Sequence, residues 1–141
     1  MKEILIIVFS GIFTIISFFH FYWGFGGKFG SSSVIPTKND SDLTFKPGKI
    51  ATILVAFVFL AVALFPLIES KWINIQLPEI LINYGYWFLG AVLILRSIGE
   101  FKYVGIFKKV KNTAFAKNDT KYYTPLCLSL VIIITLILFK Q

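Results

Sequence analysis

The stretch IATILVAFVFLAVALFPLI, residues 50–68, decides the fold class of this chain. It carries no charged side chain, and it is long enough to cross the roughly 30 Å hydrocarbon core of a bilayer as a helix. Small residues punctuate it, and small residues let helix backbones approach closely in lipid. They are Ala51, Ala56, Ala61 and Ala63. The stretch therefore predicts a transmembrane helix with a surface suited to helix packing.

Three more apolar runs flank this one, at about 4–23, 80–98 and 122–139. The whole chain of 141 residues is 57% hydrophobic and 15% charged, whereas soluble domains carry about 25% charged residues. The first run is longer than the apolar region of a signal peptide and has no small-residue cleavage site after it, so we interpret it as the first helix. We predict an all-α membrane protein, a four transmembrane helix bundle forming a single domain over 1–141.

Lysines are unequally shared between the two sides of the membrane that four helices define. The side with both termini and the 69–83 loop carries few of them, namely Lys2, Lys71 and Lys140. The side with segments 24–49 and 99–121 carries most of them: Lys28, Lys38, Lys46, Lys49, Lys102, Lys108, Lys109, Lys111, Lys117 and Lys121. The positive-inside rule therefore predicts loops 24–49 and 99–121 in the cytoplasm and both termini outside. Attraction to the anionic leaflet follows from the same lysines, and nothing in the pattern requires nucleic acid as a partner.

The segment VGIFKKVKNTAFAK, residues 104–117, combines apolar and basic residues. Phe107, Val110 and Ala114 recur at helical spacing, with lysines between them. This pattern predicts an amphipathic helix lying in the membrane interface. A solvated loop is the alternative.

Ionisable residues within or beside membrane helices usually have partners or functions. Arg96 and Glu100 are four residues apart, which places them on one face of a helix, and Glu100 is the carboxylate nearest to Arg96 in sequence. The pair is either an internal ion pair or a clamp for an anion, because the guanidinium fork matches phosphate and carboxylate groups.

A second group of polar residues borders the same side of the membrane. His20, Tyr22 and Trp23 end the first run in the stretch HFYWGFGGKFG, residues 20–30. Tyr22 and Trp23 suit the headgroup level, where aromatic side chains are common, and His20 could carry protons or simply be hydrogen-bonded there. Asp119 and Tyr123 precede the fourth run and are candidates to complete a ligand site with His20, Arg96 and Glu100.

The sequence has few residues of the types that bind metals or cofactors. Cys127 and His20 are the single cysteine and the single histidine. One cysteine excludes an intramolecular disulfide and a cysteine-based zinc site, and a transition metal would need carboxylates from several segments. We predict no metal and no cofactor.

Four segments together resemble a known family. They are HFYWGFGG at 20–27, IPT at 35–37, FKPGKIAT at 45–52 and LRSIGEFKYVGIFKKVKNTAFAKNDTKYYTPLCL at 95–128. The chain is similar in these segments to small bacterial integral membrane proteins grouped as domain of unknown function 3995, although Glu100 stands where an aspartate is expected. The resemblance implies a multi-pass protein of the bacterial inner (cytoplasmic) membrane, and it implies no activity.

Three functions are compatible with these features. The first is binding or transport of an amphiphilic or anionic small molecule at the cytoplasmic polar residues, where transport would need a homo-oligomer because four helices leave little room for a pore. The second is a membrane enzyme acting on a lipid-like substrate, with Glu100 or His20 as acid or base and Arg96 stabilising an anion. The third is an accessory subunit without chemistry of its own.

Overall fold

Helices make up most of the chain in the computed structural model, which describes residues 1–37, 44, 45 and 47–139. Four of them are long and apolar enough to cross a membrane: Lys2–Gly24, Lys49–Glu69, Glu79–Ile98 and Ala114–Leu138. The prediction of an all-α membrane protein with four transmembrane helices is confirmed. The chain separates into two compact units, which are described in turn; that it forms a single domain stays a prediction.

The first unit contains Met1–Gly27, Gly48–Phe88 and the end of the chain from Ile133. Its main contact joins helix α1, Lys2–Gly24, to helix α3, Lys49–Glu69. Phe13 packs on Phe59 with 5.9 Å between ring centroids, and the Ser17 hydroxyl donates to the Ala56 carbonyl at 2.8 Å. A side chain reaches the backbone of the neighbouring helix here because alanine leaves it uncovered.

Ala56 gives a stability prediction for this helix pair. It is fully buried, whereas Ala61 on the same helix is exposed. Ala56→Leu should destabilise the protein by about 1–3 kcal/mol, because added methylenes in a packed contact force the helices apart. Ala61→Leu is the matched control and should change stability by less than about 0.5 kcal/mol. Unfolding in mixed micelles measures both variants, and equal effects would contradict the packing described.

Tyr86 joins helix α4, Glu79–Ile98, to helix α3 within this unit. It is 1% exposed and packs edge-on against Phe65 at 4.9 Å. Its hydroxyl donates to Glu69 Oε2 at 3.4 Å, and Lys2 Nζ lies 4.0 Å from Glu69 Oε1. Helices α1, α3 and α4 therefore meet at one carboxylate.

The second unit contains Leu89–Ile132 and the described part of Lys28–Pro47. It begins with the short helix α2, Ser31–Val34, and it includes helix α5, Ala114–Asn118, a π-helical turn, Asp119–Tyr123, and the start of helix α6, Thr124–Leu138. Part of the 24–49 segment predicted to be cytoplasmic, including Lys38 and Lys46, lies outside the described residues.

The fourth membrane helix begins earlier than the sequence pattern at 122–139 suggests. Thr113 caps it, since its side-chain oxygen accepts from the Ala116 N–H at 3.2 Å, and the chain then stays helical to Leu138 through α5, the π-helical turn and α6. Proline lacks an N–H, and its ring clashes with the carbonyl four residues earlier. The wide turn directly before Pro125 relieves that clash, so the helix continues through Thr124 and Pro125.

The amphipathic helix predicted at 104–117 is wrong for most of its length, because only residues from 114 onward are helical. Residues 99–113 instead form a folded loop. Gly99 and Gly105 have φ angles of 80° and 87°, a region that glycine adopts without strain. A Cβ at Gly105 would lie 2.4 Å from the Ile98 carbonyl oxygen. The loop therefore packs its backbone tightly against the end of α4, and this packing is found where the amphipathic helix was predicted.

Candidate functional site

Asp119 is the centre of a charged cluster in the second unit. It occupies the first position of the π-helical turn, and its side chain is fully buried. It accepts hydrogen bonds from Arg96 Nη2 at 2.7 Å, Lys108 Nζ at 3.0 Å and the Gly105 N–H at 2.9 Å. Arg96 contacts one carboxylate oxygen, and the other two donors share the second. Asp119 thus ties the last turn of α4 and the 99–113 loop to the fourth membrane helix.

Lys108 is the most buried cation among the described residues, with 2% of its side chain exposed. Besides Asp119, its ammonium group donates to the Gly105 carbonyl at 3.0 Å and to the Thr120 hydroxyl at 2.7 Å. An ammonium group has three donors, so all of them are used. Burial of this charge is tolerated because its partners are complete.

Arg96 is satisfied less fully. One third of its side chain is exposed, at 33%. Its Nη2 is held by Asp119, but its Nη1 is buried without a hydrogen-bond partner in the part of the chain that the structure describes. Two cations and one carboxylate also leave the Arg96–Lys108–Asp119 cluster with one positive charge in excess. The cluster therefore keeps a donor and a charge suited to an anion.

Glu100 does not pair with Arg96, so that prediction is wrong. Helix α4 ends at Ile98, and the positive φ of Gly99 turns the chain away before Glu100 can occupy the next helical turn. Glu100 is exposed, and its Oε1 accepts the Tyr103 N–H at 2.8 Å. Glu100 therefore stabilises the loop locally, and Asp119 is the carboxylate that pairs with Arg96.

Tyr123 lies at the end of the π-helical turn and contacts other parts of the second unit. Its hydroxyl donates to the Ser33 carbonyl of α2 at 3.1 Å, and its ring lies 6.1 Å from that of Phe115. These contacts hold α2 and α5 together beside the cluster. Tyr123 is thus a structural neighbour of Asp119 in the turn.

His20, Tyr22 and Trp23 belong to the first unit. The His20 Nδ1–H donates to the Ile16 carbonyl at 2.8 Å, and its ring lies 4.9 Å from Phe59 and 5.2 Å from Trp23. Tyr22 is exposed and its ring covers Gly27. His20 is therefore a hydrogen-bonded aromatic neighbour in the contact of α1 with α3. Its predicted convergence with Arg96 and Asp119 stays a prediction.

Sequence reasoning missed Lys108, Gly105 and Thr120 as members of the cluster. Lys108 stands in a run of lysines, and nothing in the residue pattern separates it from its exposed neighbour Lys109. The one available signal was the pair of glycines at 99 and 105, which indicates a tight turn rather than a continuing helix.

Comparison with known proteins gives one result that bears on identity. No curated protein and no solved structure matches the chain. The family model described as "Protein of unknown function (DUF3995)" matches residues 13–134. This range contains the helices Lys49–Glu69 and Glu79–Ile98 in full, about half of the first membrane helix and most of the fourth. It also includes Arg96, Lys108 and Asp119. Because the match spans most of the sequence, the chain belongs to the DUF3995 family of proteins of unknown function.

Proposed function

We propose that this membrane protein binds an anionic amphiphile through an anionic headgroup held at Arg96. The observation that carries the proposal is an Nη1 with no hydrogen-bond partner among the described residues, on a guanidinium whose Nη2 is fixed by Asp119. A buried donor without an acceptor costs about 1–3 kcal/mol. A phosphate or carboxylate oxygen bound there would remove that cost and offset the excess positive charge. Because Nη1 is buried while one third of the side chain is exposed, such an anion would approach the exposed part of Arg96 and reach Nη1 after a small rotation of the guanidinium group.

Binding fits the cluster better than catalysis does. Asp119 accepts three hydrogen bonds, and Lys108 uses all its donors within the protein. Both side chains are almost fully buried, at 0% and 2% exposed, so neither is placed to exchange a proton with a substrate. Glu100, proposed as an acid or base on sequence grounds, is committed to the Tyr103 N–H. These bonds organise Arg96, which is what a binding site requires.

Lipid titration of the purified full-length protein tests this proposal. We expect Arg96→Gln to weaken binding of dioleoyl phosphatidate by about 10-fold to 100-fold, since hydrogen bonds to charged groups contribute roughly 1.5–3 kcal/mol. Lys117→Gln is the matched control, because it removes the same charge from an exposed residue outside the cluster. Arg96→Lys keeps a cation beside Asp119 but lacks the second guanidinium nitrogen, and should bind with intermediate affinity.

Three further measurements test which chemical group of the ligand is recognised. Native mass spectrometry should detect a co-purified anionic lipid. Dioleoyl phosphatidylcholine should bind weakly, and inorganic phosphate should compete if the headgroup alone is recognised. Equal binding by the Arg96→Gln and Lys117→Gln variants would overturn the proposal.

We also propose that the 99–121 segment, and with it the cluster, lies in the cytoplasm of a bacterial cell, with both termini outside. The exposed lysines of this segment support that orientation. They are Lys102, Lys109, Lys111, Lys117 and Lys121. The orientation places the Arg96 site in the leaflet that faces the cytoplasm.

Cysteine labelling checks the orientation. Ser32 is exposed on α2, on the same side as segment 99–121 in a four-helix topology. A Ser32→Cys variant in a Cys127→Ser background should not react with a membrane-impermeant maleimide in intact cells, and should react after the cells are opened. Glu79→Cys, at the exposed first residue of α4, is the control with the opposite expectation. Labelling of Ser32→Cys in intact cells would reverse the orientation.

A further inference from the structure

The loop after α4 carries an exposed surface that the charged cluster does not use. Its apolar members, Phe101, Ile106 and Phe107, are 56%, 54% and 60% exposed, and the Phe101 and Phe107 rings lie 6.2 Å apart. Lys102 and Lys109 are exposed beside them. We call these five residues the aromatic–basic surface.

This surface belongs to a folded loop. The Lys102 carbonyl accepts the N–H groups of Lys109 at 3.1 Å and Val110 at 2.9 Å, which closes the loop on itself. The Ile106 N–H donates to the Ser97 carbonyl at 2.9 Å, which ties the loop to the last turn of α4. The rings are therefore presented by a backbone that is already ordered.

Phe101 combines an unfavourable backbone conformation with an exposed side chain. Its φ is 66°, in the left-handed region, which is unfavourable for a residue with a side chain. The surrounding loop maintains this conformation, although the side chain that results is exposed rather than packed in the protein. Strain that leaves a large ring exposed points to a contact outside the chain.

We propose that the aromatic–basic surface inserts into the anionic lipid interface of the membrane that the protein spans. The surface starts within three residues of Ile98, where a membrane helix ends, so it lies at the depth of the headgroups. Apolar rings bury in the headgroup and acyl boundary, while lysines contact anionic lipid. This role is independent of ligand binding at Arg96, because none of the five residues belongs to the cluster.

Fluorescence quenching in reconstituted vesicles tests the insertion. The full-length protein carries Cys127→Ser and Ile106→Cys, which keeps both aromatic rings, and is labelled with bimane. In vesicles of phosphatidylglycerol and phosphatidylcholine, lipids brominated on the acyl chain should quench the label and aqueous iodide should not. Asn112→Cys, at an exposed polar residue of the same loop, is the matched control and should show the opposite behaviour.

The lipid charge gives a second readout. Replacing both lysines, Lys102→Gln and Lys109→Gln, should make the label at 106 more accessible to iodide. We expect an increase of about fivefold for each lysine removed, because each lysine strengthens binding to an anionic leaflet by about that factor. Pure phosphatidylcholine vesicles should have the same effect. A label at 106 as accessible to iodide as that at 112 overturns the proposal. A label shielded from both quenchers also overturns it, since the surface would then contact protein.

Discussion

Replacement of Asp119 by asparagine is expected to lower the free energy of unfolding by about 3–5 kcal/mol, the cost typical of removing one partner from a buried ion pair. The amide is nearly the same size as the carboxylate, so the change tests charge rather than volume. Lys108, with 2% of its side chain exposed, would keep its charge without a counter-charge. The amide keeps one acceptor oxygen, but its NH2 group would face either Arg96 or the two donors Gly105 and Lys108.

Glu100→Gln is the control for this variant. It also neutralises an acid near Arg96 in sequence, but that acid is exposed and accepts one backbone hydrogen bond. We expect a loss of less than about 1 kcal/mol. If the two variants were equally destabilised in mixed-micelle unfolding, or if Glu100→Gln were the worse, the assignment of Asp119 as the buried partner would be wrong.

A second substitution shows that the effect is electrostatic. Lys108→Met removes the buried charge that Asp119→Asn leaves unpaired and keeps the length of the side chain. The double variant should therefore be more stable than Asp119→Asn alone, and the coupling of neighbouring sites should reach about 0.5–3 kcal/mol. Simple addition of the two single effects would contradict the proposed pairing.

Gly105→Ala is the second change with a large expected effect. The Gly105 N–H donates to Asp119 and its carbonyl accepts from Lys108, while its φ of 87° suits glycine. Alanine would bring a Cβ within 2.4 Å of the Ile98 carbonyl oxygen and 2.6 Å of the Gly99 nitrogen. We expect about 1–2 kcal/mol from the backbone conformation and a further 1–3 kcal/mol from the steric conflict.

Gly30→Ala separates these two causes. Gly30 has a φ of 72°, but no atom lies within 4 Å of its would-be Cβ. It should therefore show the conformational cost alone. Gly105→Ala should also weaken binding of anionic lipid, because it displaces Asp119 and hence Arg96, whereas Gly30→Ala should leave binding intact. An identical loss of stability in the two variants would show that the close approach at Gly105 is unimportant.

Much of the architecture could be predicted because it depends on local composition. The run at 50–68 is apolar throughout, and a helix is the structure that satisfies every backbone group of one segment within lipid. The four spans and the all-α class follow from that rule. The start of the fourth helix could not be predicted as well, because Thr124 and Pro125 resemble a helix start, whereas the helix continues before them through a π-helical turn.

The sequence predicted Arg96 and Asp119 as members of the candidate site, but it did not predict which carboxylate pairs with Arg96. An arginine at the end of a membrane helix needs a carboxylate, and both Glu100 and Asp119 stood among the candidates. Spacing favoured Glu100, because residues four apart share a helix face. That argument fails because the helix ends at Ile98, where Gly99 has a φ of 80° and the folded loop leaves no room for a Cβ at Gly99 beside the Val104 carbonyl.

The sequence by itself determined that four helices are apolar and long enough to span a membrane and that most lysines fall in segments 24–49 and 99–121, because hydropathy and charge are properties of each segment separately. The tertiary structure alone decided that Asp119 binds Arg96 and Lys108, that Lys108 is buried while Lys109 is exposed, and that 99–113 is a loop. The physical reason is that burial and ion pairing depend on which segments meet, and here two glycines and a widened helical turn bring them together.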